Sequence, residues 1–347
     1  MSKPAITPTS LDSDEGLEQR KGEHIELALE SRMQGQENYF DRLRLPHRAM
    51  PEISLQQVST ATTFLGKPVS APLVIGAMTG GTEKAQVINR NLAQAAQSLG
   101  LAFGLGSQRA AVEDPDLAST YSVREVAPDI PVIANLGAIQ LNYGYGLDQC
   151  QRAVEMVQAD GLALHFNALQ EAIQPEGQTD FSNLLGQLEP IVEALEVPVI
   201  AKEVGHGFDQ RSARSLRDIG VVVVDAAGSG GTDWGRIEAA RAGDGDLGDV
   251  FAGWGIPSPT AIRDLATITG LQVIGSGGIR NGVDGAKAIS LGASWVAMAQ
   301  PFLRPAMEST EQVVELASRW LRELRIAMFC CGVQTLEQLS GVEPEEL

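Results

Sequence analysis

PVIAN at 131–135, GLALH at 161–165, PVIAKE at 198–203 and VVVVD at 221–225 decide the fold. Each run is short, apolar and almost unbroken by polar residues, as strands buried on both faces of a parallel sheet are. Similar runs flank them: PLVIGA at 72–77 and LAFGL at 101–105 before, QVIGS at 272–276 and WVAMA at 295–299 after. Between the eight runs lie stretches of helical period, at 84–99, 147–158, 183–195, 210–219, 260–267 and 283–291. A longer amphipathic stretch, 308–329, follows the last run. Eight strand-then-helix units predict an α/β fold, a single-domain (β/α)8 TIM barrel over 69–347. An open doubly wound sheet is the alternative, but it normally has fewer units and a nucleotide-binding turn after its first strand. A Gly- and Asp-rich connection at 228–255 follows the sixth run and has the length of a functional lid.

The 347 residues are 44% hydrophobic and carry a formal charge of −18. That supplies a large core and argues against nucleic acid as a partner, since such binders carry a basic surface. No run approaches the ~18 apolar residues of a membrane span. Residues 1–18 are polar and acidic, lack the apolar stretch of a signal peptide, and are expected to be a disordered tail before an N-terminal segment, 19–68. Cys150, Cys330 and Cys331 show neither metal nor disulfide spacing and read as buried thiols. The chain is expected to be soluble and cytoplasmic.

In a barrel, chemistry gathers where strands end. Glycine, serine, asparagine, histidine or lysine stands at most of these ends. SGGIR at 276–280 precedes a helix, and Ala299 and Gln300 soon follow. Loops after strands 7 and 8 are the usual phosphate site of barrels, with glycine amides and a helix N-terminus facing the anion. The ligand expected there is most simply flavin mononucleotide, FMN. Lys202 interrupts an apolar strand, so it must face a ligand or a carboxylate such as Glu203 or Asp225. His165, Asn167, Gln170 and Glu171 can hold a polar substrate, and Glu171 can bind Mg²⁺, which prefers oxygen ligands and phosphate. Arg20, Lys21 and His24 form a compact anion receptor, with Arg20 and His24 one helical turn apart. Arg109, at the second strand end, is a further anion ligand.

Together, RKGEHI at 20–25, MTGG at 78–81, GSQR at 106–109, ALHFNALQEAIQPEG at 163–177, AKEVG at 201–205, DAAGSGGTDW at 225–234 and GSGGIRNG at 275–282 resemble the type 2 isopentenyl diphosphate isomerase family. The motifs run in order over nearly the whole chain. The Arg-Lys-x-x-His segment joined to HxNxxQExxxPEG is the specific part. The resemblance implies an FMN-containing barrel that interconverts isopentenyl and dimethylallyl diphosphates. It implies reduction of FMN by NADPH or NADH, a need for Mg²⁺, and a homo-oligomer, a tetramer or octamer. Carried over, diphosphate binding falls to Arg20, Lys21, His24, Ser107, Arg109, His165 and Asn167. Gln170 is implied as the catalytic amide near the reacting carbons, and Glu171 as the metal ligand. Flavin contacts are implied for Met78, Thr79, Ser107, Asn135, Lys202, Thr232, Gly278, Ile279, Arg280, Ala299 and Gln300. Phe166, Ala77 and His206 depart from the family's usual residues, and His206 is expected to touch the flavin's neighbourhood. An FMN-dependent hydroxy-acid oxidase or dehydrogenase shares the phosphate turn and is the competing reading.

Overall fold

A computed structural model of the chain describes residues 14–35 and 37–347. Eight parallel strands close into a barrel: β1 Leu73–Ile75, β2 Ala102–Gly104, β3 Val132–Gly137, β4 Gly161–Phe166, β5 Val199–Glu203, β6 Val223–Asp225, β7 Gln272–Gly275 and β8 Trp295–Met298. Six fall within one of the eight apolar runs, and β3 and β4 run past theirs, to Gly137 and Phe166. They are continuous in sequence because both faces are buried. One face fills the barrel with Val74, Ala102, Ile133, Ala163, Ile200, Val223 and Ile274. The other packs on the outer helices, through Leu73, Phe103, Leu162 and Val224 among others.

The helices are α1 Asp14–Ala28, α2 Glu83–Leu99, α3 Arg109–Glu113, α4 Leu147–Val157, α5 Ala168–Ile173, α6 Leu184–Ala194 and α7 Gln210–Asp218. After β6 come α8 Trp234–Arg241, α9 Gly245–Val250 and α10 Ser258–Ala266; then α11 Gly282–Ser290, α12 Gln300–Glu308, α13 Thr310–Cys331 and α14 Leu336–Ser340. The barrel floor is closed by a hairpin, Thr62–Phe64 with Lys67–Val69. Phe64 meets the Trp295 ring edge-on at 4.8 Å, and Trp295 Nε1 donates to Thr63 O at 2.9 Å.

Three expectations change. The acidic tail expected at 1–18 overlaps α1, which begins at Asp14; residues 1–13 lie outside the described residues. Burial of Ile25 and Ala28 anchors the C-terminal end of α1. The connection at 228–255 is not an open lid, because it folds into α8 and α9, each capped by an aspartate, Asp233 and Asp244. The closing helix starts at Thr310 rather than Glu308, since Ser309 is extended and its side chain accepts from Gln312 N.

Helix α11 runs against α13 with very close contact. A methyl group at Gly285 would fall inside the Trp320 indole, which is 1% exposed. Gly285→Ala is therefore expected to destabilise the protein by about 1–3 kcal/mol, the usual cost of overpacking. Urea unfolding measures it, and an unchanged midpoint would contradict the packing described.

Candidate active site

Strand register builds the site. Gly137 pairs with His165, His165 with Lys202, and Lys202 with Asp225. Registered neighbours on parallel strands point to the same face, so His165, Lys202 and Asp225 stand in one row at the barrel mouth. Lys202 Nζ lies 3.1 Å from Asp225 Oδ2 and donates to Glu203 O at 2.9 Å. Both readings of Lys202 thus hold: it pairs with Asp225 and it lines the cavity. Asp225 also accepts from the Ser276 hydroxyl. His165 Nδ1 is 2.8 Å from Asn135 Oδ1. Burial, with Lys202 and Lys21 nearby, pushes His165 down to about 4, so its ring is neutral at pH 7.

The mouth opens on a cavity of about 490 Å³. It brings together every residue to which the resemblance gives a catalytic, substrate, flavin or metal role: Met78, Thr79, Ser107, Arg109, Asn135, His165, Asn167, Gln170, Glu171, Lys202, Thr232, Gly278, Ile279, Arg280, Ala299 and Gln300, with Arg20, Lys21 and His24 from α1. Helix α1 reaches the mouth because the segment after it is tied to two strand-end loops. Asp233 N donates to Met33 O at 2.8 Å and Gly35 N to Gly231 O at 2.6 Å, while Gln300 Nε2 donates to Ala28 O at 3.2 Å.

Arg20, Lys21 and Arg109 crowd one side. Arg20 lies 3.9 Å from Glu176, and Arg109 Nε donates to Glu113 at 2.9 Å. Lys21 has no carboxylate at ion-pair distance among the described residues; burial, then Arg20 and Arg109, lowers it to about 8. Such a cluster gains from an anion. His24 does not join it as a fourth cation. Its Nε2 is 3.0 Å from Glu238 Oε1, its ring is edge-on to Trp234 at 5.3 Å, and burial lowers its pKa.

Glu238 was not anticipated. It is fully buried on α8 and accepts from Gln170 Nε2 at 2.8 Å as well as facing His24. Burial alone would raise its carboxyl, but His24, Gln170 and Arg241 outweigh that and bring it to about 2. Arg241 donates to Glu238 at 2.5 Å, Glu23 at 3.0 Å and Glu176 at 3.2 Å, joining α8, α1 and the loop after α5. The available signal was Asp233 capping an unrecognised helix with Glu238 and Arg241 three residues apart. His206 was expected near the flavin site, yet it does not line the cavity; it turns towards Glu203 and Asp233.

The residues fit FMN and Mg²⁺. Thr79 Oγ1 is buried at the cavity and meets no hydrogen-bond partner among the described residues. Gly277 and Gly278 have φ of 93° and 74°, and a side chain on Gly278 would approach Gly230 O to 2.6 Å. The turn therefore presents bare backbone to a phosphate. Asn281 caps α11 and Asp284 accepts from Arg280 N, while the amides of Gly277, Gly278 and Ile279 have no backbone acceptor among the described residues. Glu171 is held by Asn167 Nδ2 at 2.8 Å and Gln178 N at 2.6 Å. No cluster of three or more metal-ligating side chains exists among the described residues. One oriented carboxylate suits Mg²⁺, which keeps waters and completes its shell with substrate phosphate.

The chain matches the family model described as FMN-dependent dehydrogenase over residues 22–120 and 149–343. It is 50% identical over 329 residues to an isopentenyl-diphosphate delta-isomerase of Synechocystis sp., covering 93% of this chain and 94% of that one. It is 48% identical over 328 residues to the protein of the same name from Methanothrix thermoacetophila, covering 92% and 91%. Among solved structures, a lactate oxidase of Pediococcus acidilactici superposes with a TM-score of 0.66 at 17% identity, covering 98% of this chain and 96% of that one. That likeness establishes the shared barrel.

Arg241→Ala removes the tie between α8, α1 and Glu176. Amide hydrogen exchange over 19–28 is expected to quicken by about tenfold or more, since a lost buried ion pair lowers local opening energy. Unchanged protection would mean that α1 is held elsewhere.

Proposed function

This chain belongs to the FMN-dependent dehydrogenase family and, within it, to the isopentenyl-diphosphate delta-isomerases, and we propose that it interconverts isopentenyl and dimethylallyl diphosphates by a 1,3-proton shift. The observation that carries this reading is the convergence of Arg20, Lys21 and Arg109 on the cavity of a chain whose net charge is −18. A hydroxy acid offers one carboxylate to such a cluster; a diphosphate offers more charge and more acceptors.

The reaction adds a proton at the terminal alkene carbon and removes one from the carbon next to C–O, with tertiary cationic character between. Reduced FMN, when bound, supplies an electron-rich ring with N–H groups suited to exchanging that proton. The protein does the rest. Arg20, Lys21 and Arg109 anchor the diphosphate, and His165 and Asn167 bound it from the fourth strand end. Glu171 holds Mg²⁺ against it, which offsets its charge. Gln170 places its amide beside the reacting carbons, and the Glu238 carboxylate fixes that amide at 2.8 Å. His24 keeps its Nε2 proton on Glu238 Oε1. Trp234 and α1 close the mouth and exclude water from the cation-like state.

FMN is reduced by NADPH or NADH, with no net redox change in the substrate. The homo-oligomer, a tetramer or octamer, is supported by apolar surface that a single chain leaves open, with Val250 76% and Trp254 61% exposed. A cytoplasmic setting is supported by three cysteines that all remain free thiols.

An anaerobic assay with isopentenyl diphosphate, FMN, NADPH and Mg²⁺ tests the reading, each component being left out in turn. Turnover is expected with the full set, and loss of turnover on omitting FMN or Mg²⁺; rapid flavin reduction by a 2-hydroxy acid would favour the oxidase instead. Gln170→Ala is expected to lower kcat by about a hundredfold or more. Glu171→Ala should raise the Mg²⁺ concentration needed for half-maximal rate, and an unchanged dependence would remove it as ligand. Because free Lys21 titrates near 8, kcat/KM should fall as pH rises through that value, and Lys21→Arg should abolish that limb.

A further inference from the structure

His206 stands just beyond β5, with its side chain 8% exposed. Its Nδ1 lies 3.7 Å from Glu203 Oε1 and its Nε2 3.5 Å from Asp233 Oδ1. Neither ring nitrogen makes a hydrogen bond among the described residues, so the ring sits at ion-pair range between two carboxylates. Both carboxylates are fixed. Glu203 Oε2 accepts the amides of Val204, Gly205, His206 and Gly207 at 2.5–3.0 Å. Asp233 Oδ1 accepts Arg236 N at 3.1 Å and so caps α8. The third packed segment, Gly255 and Ile256, contributes no titratable group; Ile256 N donates to His206 O at 2.8 Å. Two buried carboxylates facing a neutral ring would be poorly compensated, whereas an imidazolium compensates both.

We propose that His206 is a positioning residue, a cationic strut that ties Glu203 at the end of β5 to Asp233 at the start of α8 and thereby fixes the helix that carries Glu238. This rests on the reading that Glu238 and Gln170 serve the isomerisation. Burial disfavours the charge, but Asp233 and Glu203 prevail and bring His206 up to about 9. The folded-state value lies above the ordinary 6.5. The strut's contribution is therefore complete below 6.5 and is lost as pH rises through 9.

The chain has only four histidines, which makes imidazole NMR titration of the holoenzyme practicable. One resonance is expected to titrate near 9 and to vanish in His206→Gln. Asp233→Asn keeps a capping side chain, and should move that titration down by more than one pH unit. At saturating substrate, His206→Gln is expected to lower kcat at pH 7 by about tenfold, with KM changed less than about twofold, because it does not touch the diphosphate cations. The two proteins should converge in kcat above pH 9, where the strut is uncharged in both. A His206 resonance titrating at or below 6.5, or equal kcat at pH 7, would overturn the proposal. Should His206→Gln fail to fold, the Asp233→Asn titration decides: no downward shift sinks the strut. A titration near 9 in a protein that turns over no isopentenyl diphosphate would uphold the strut and sink the functional reading instead.

Discussion

The buried charge of Glu238 is the constraint around which the mouth is organised. A carboxylate with no exposure is costly unless donors surround it. Here the donors come from three separate places: Gln170 from the fourth strand end, His24 from α1, and Arg241 from its own helix. Satisfying one charge therefore fixes the position of the Gln170 amide, of the helix that bears Arg20 and Lys21, and of α8 itself. Arg241 extends the same constraint to Glu23 and Glu176. Removing any one member leaves a buried group uncompensated, so α1, α5 and α8 are expected to respond as a unit.

The fold was legible because buried parallel strands write themselves as unbroken apolar runs. VVVVD and PVIAKE leave little room for another reading. The strand-end residues were legible for a related reason. A lysine or histidine set in such a run must face something, and the register turns His165, Lys202 and Asp225 to the same side. Glu238 and Arg241 were not legible. They lie in WGRIEAAR, where alanine and glycine pack on both sides and no single apolar stripe marks a helix. The stretch reads as a loop until Asp233 is seen as its cap. Sequence spacing places His24 on a cationic face with Arg20, and the tertiary fold adds a carboxylate from over two hundred residues away while the ring still lines the cavity.

Local charge at the site and net charge on the chain are independent quantities. The acidic excess is spread over the exterior, while Arg20, Lys21 and Arg109 share one cavity and raise one another's need for an anion. Under the proposed function, an acidic protein can thus hold two phosphorylated molecules, one on the Gly278–Ile279 turn and one on side-chain cations.

The hairpin that closes the floor imposes a sequence on events. With Phe64 and Trp295 sealing one end of the barrel and α1 lying across the other, traffic passes through the mouth alone. The glycine turn at 277–279 belongs to the strand ends, whereas Arg20 and Lys21 ride on α1 and Arg109 lines the same cavity. On the proposed function, a flavin on the Gly278–Ile279 turn would be seated before α1 settles over it, and would stay while substrate exchanges for product. The cofactor would then be a tenant and the diphosphate a visitor, with loading in that order.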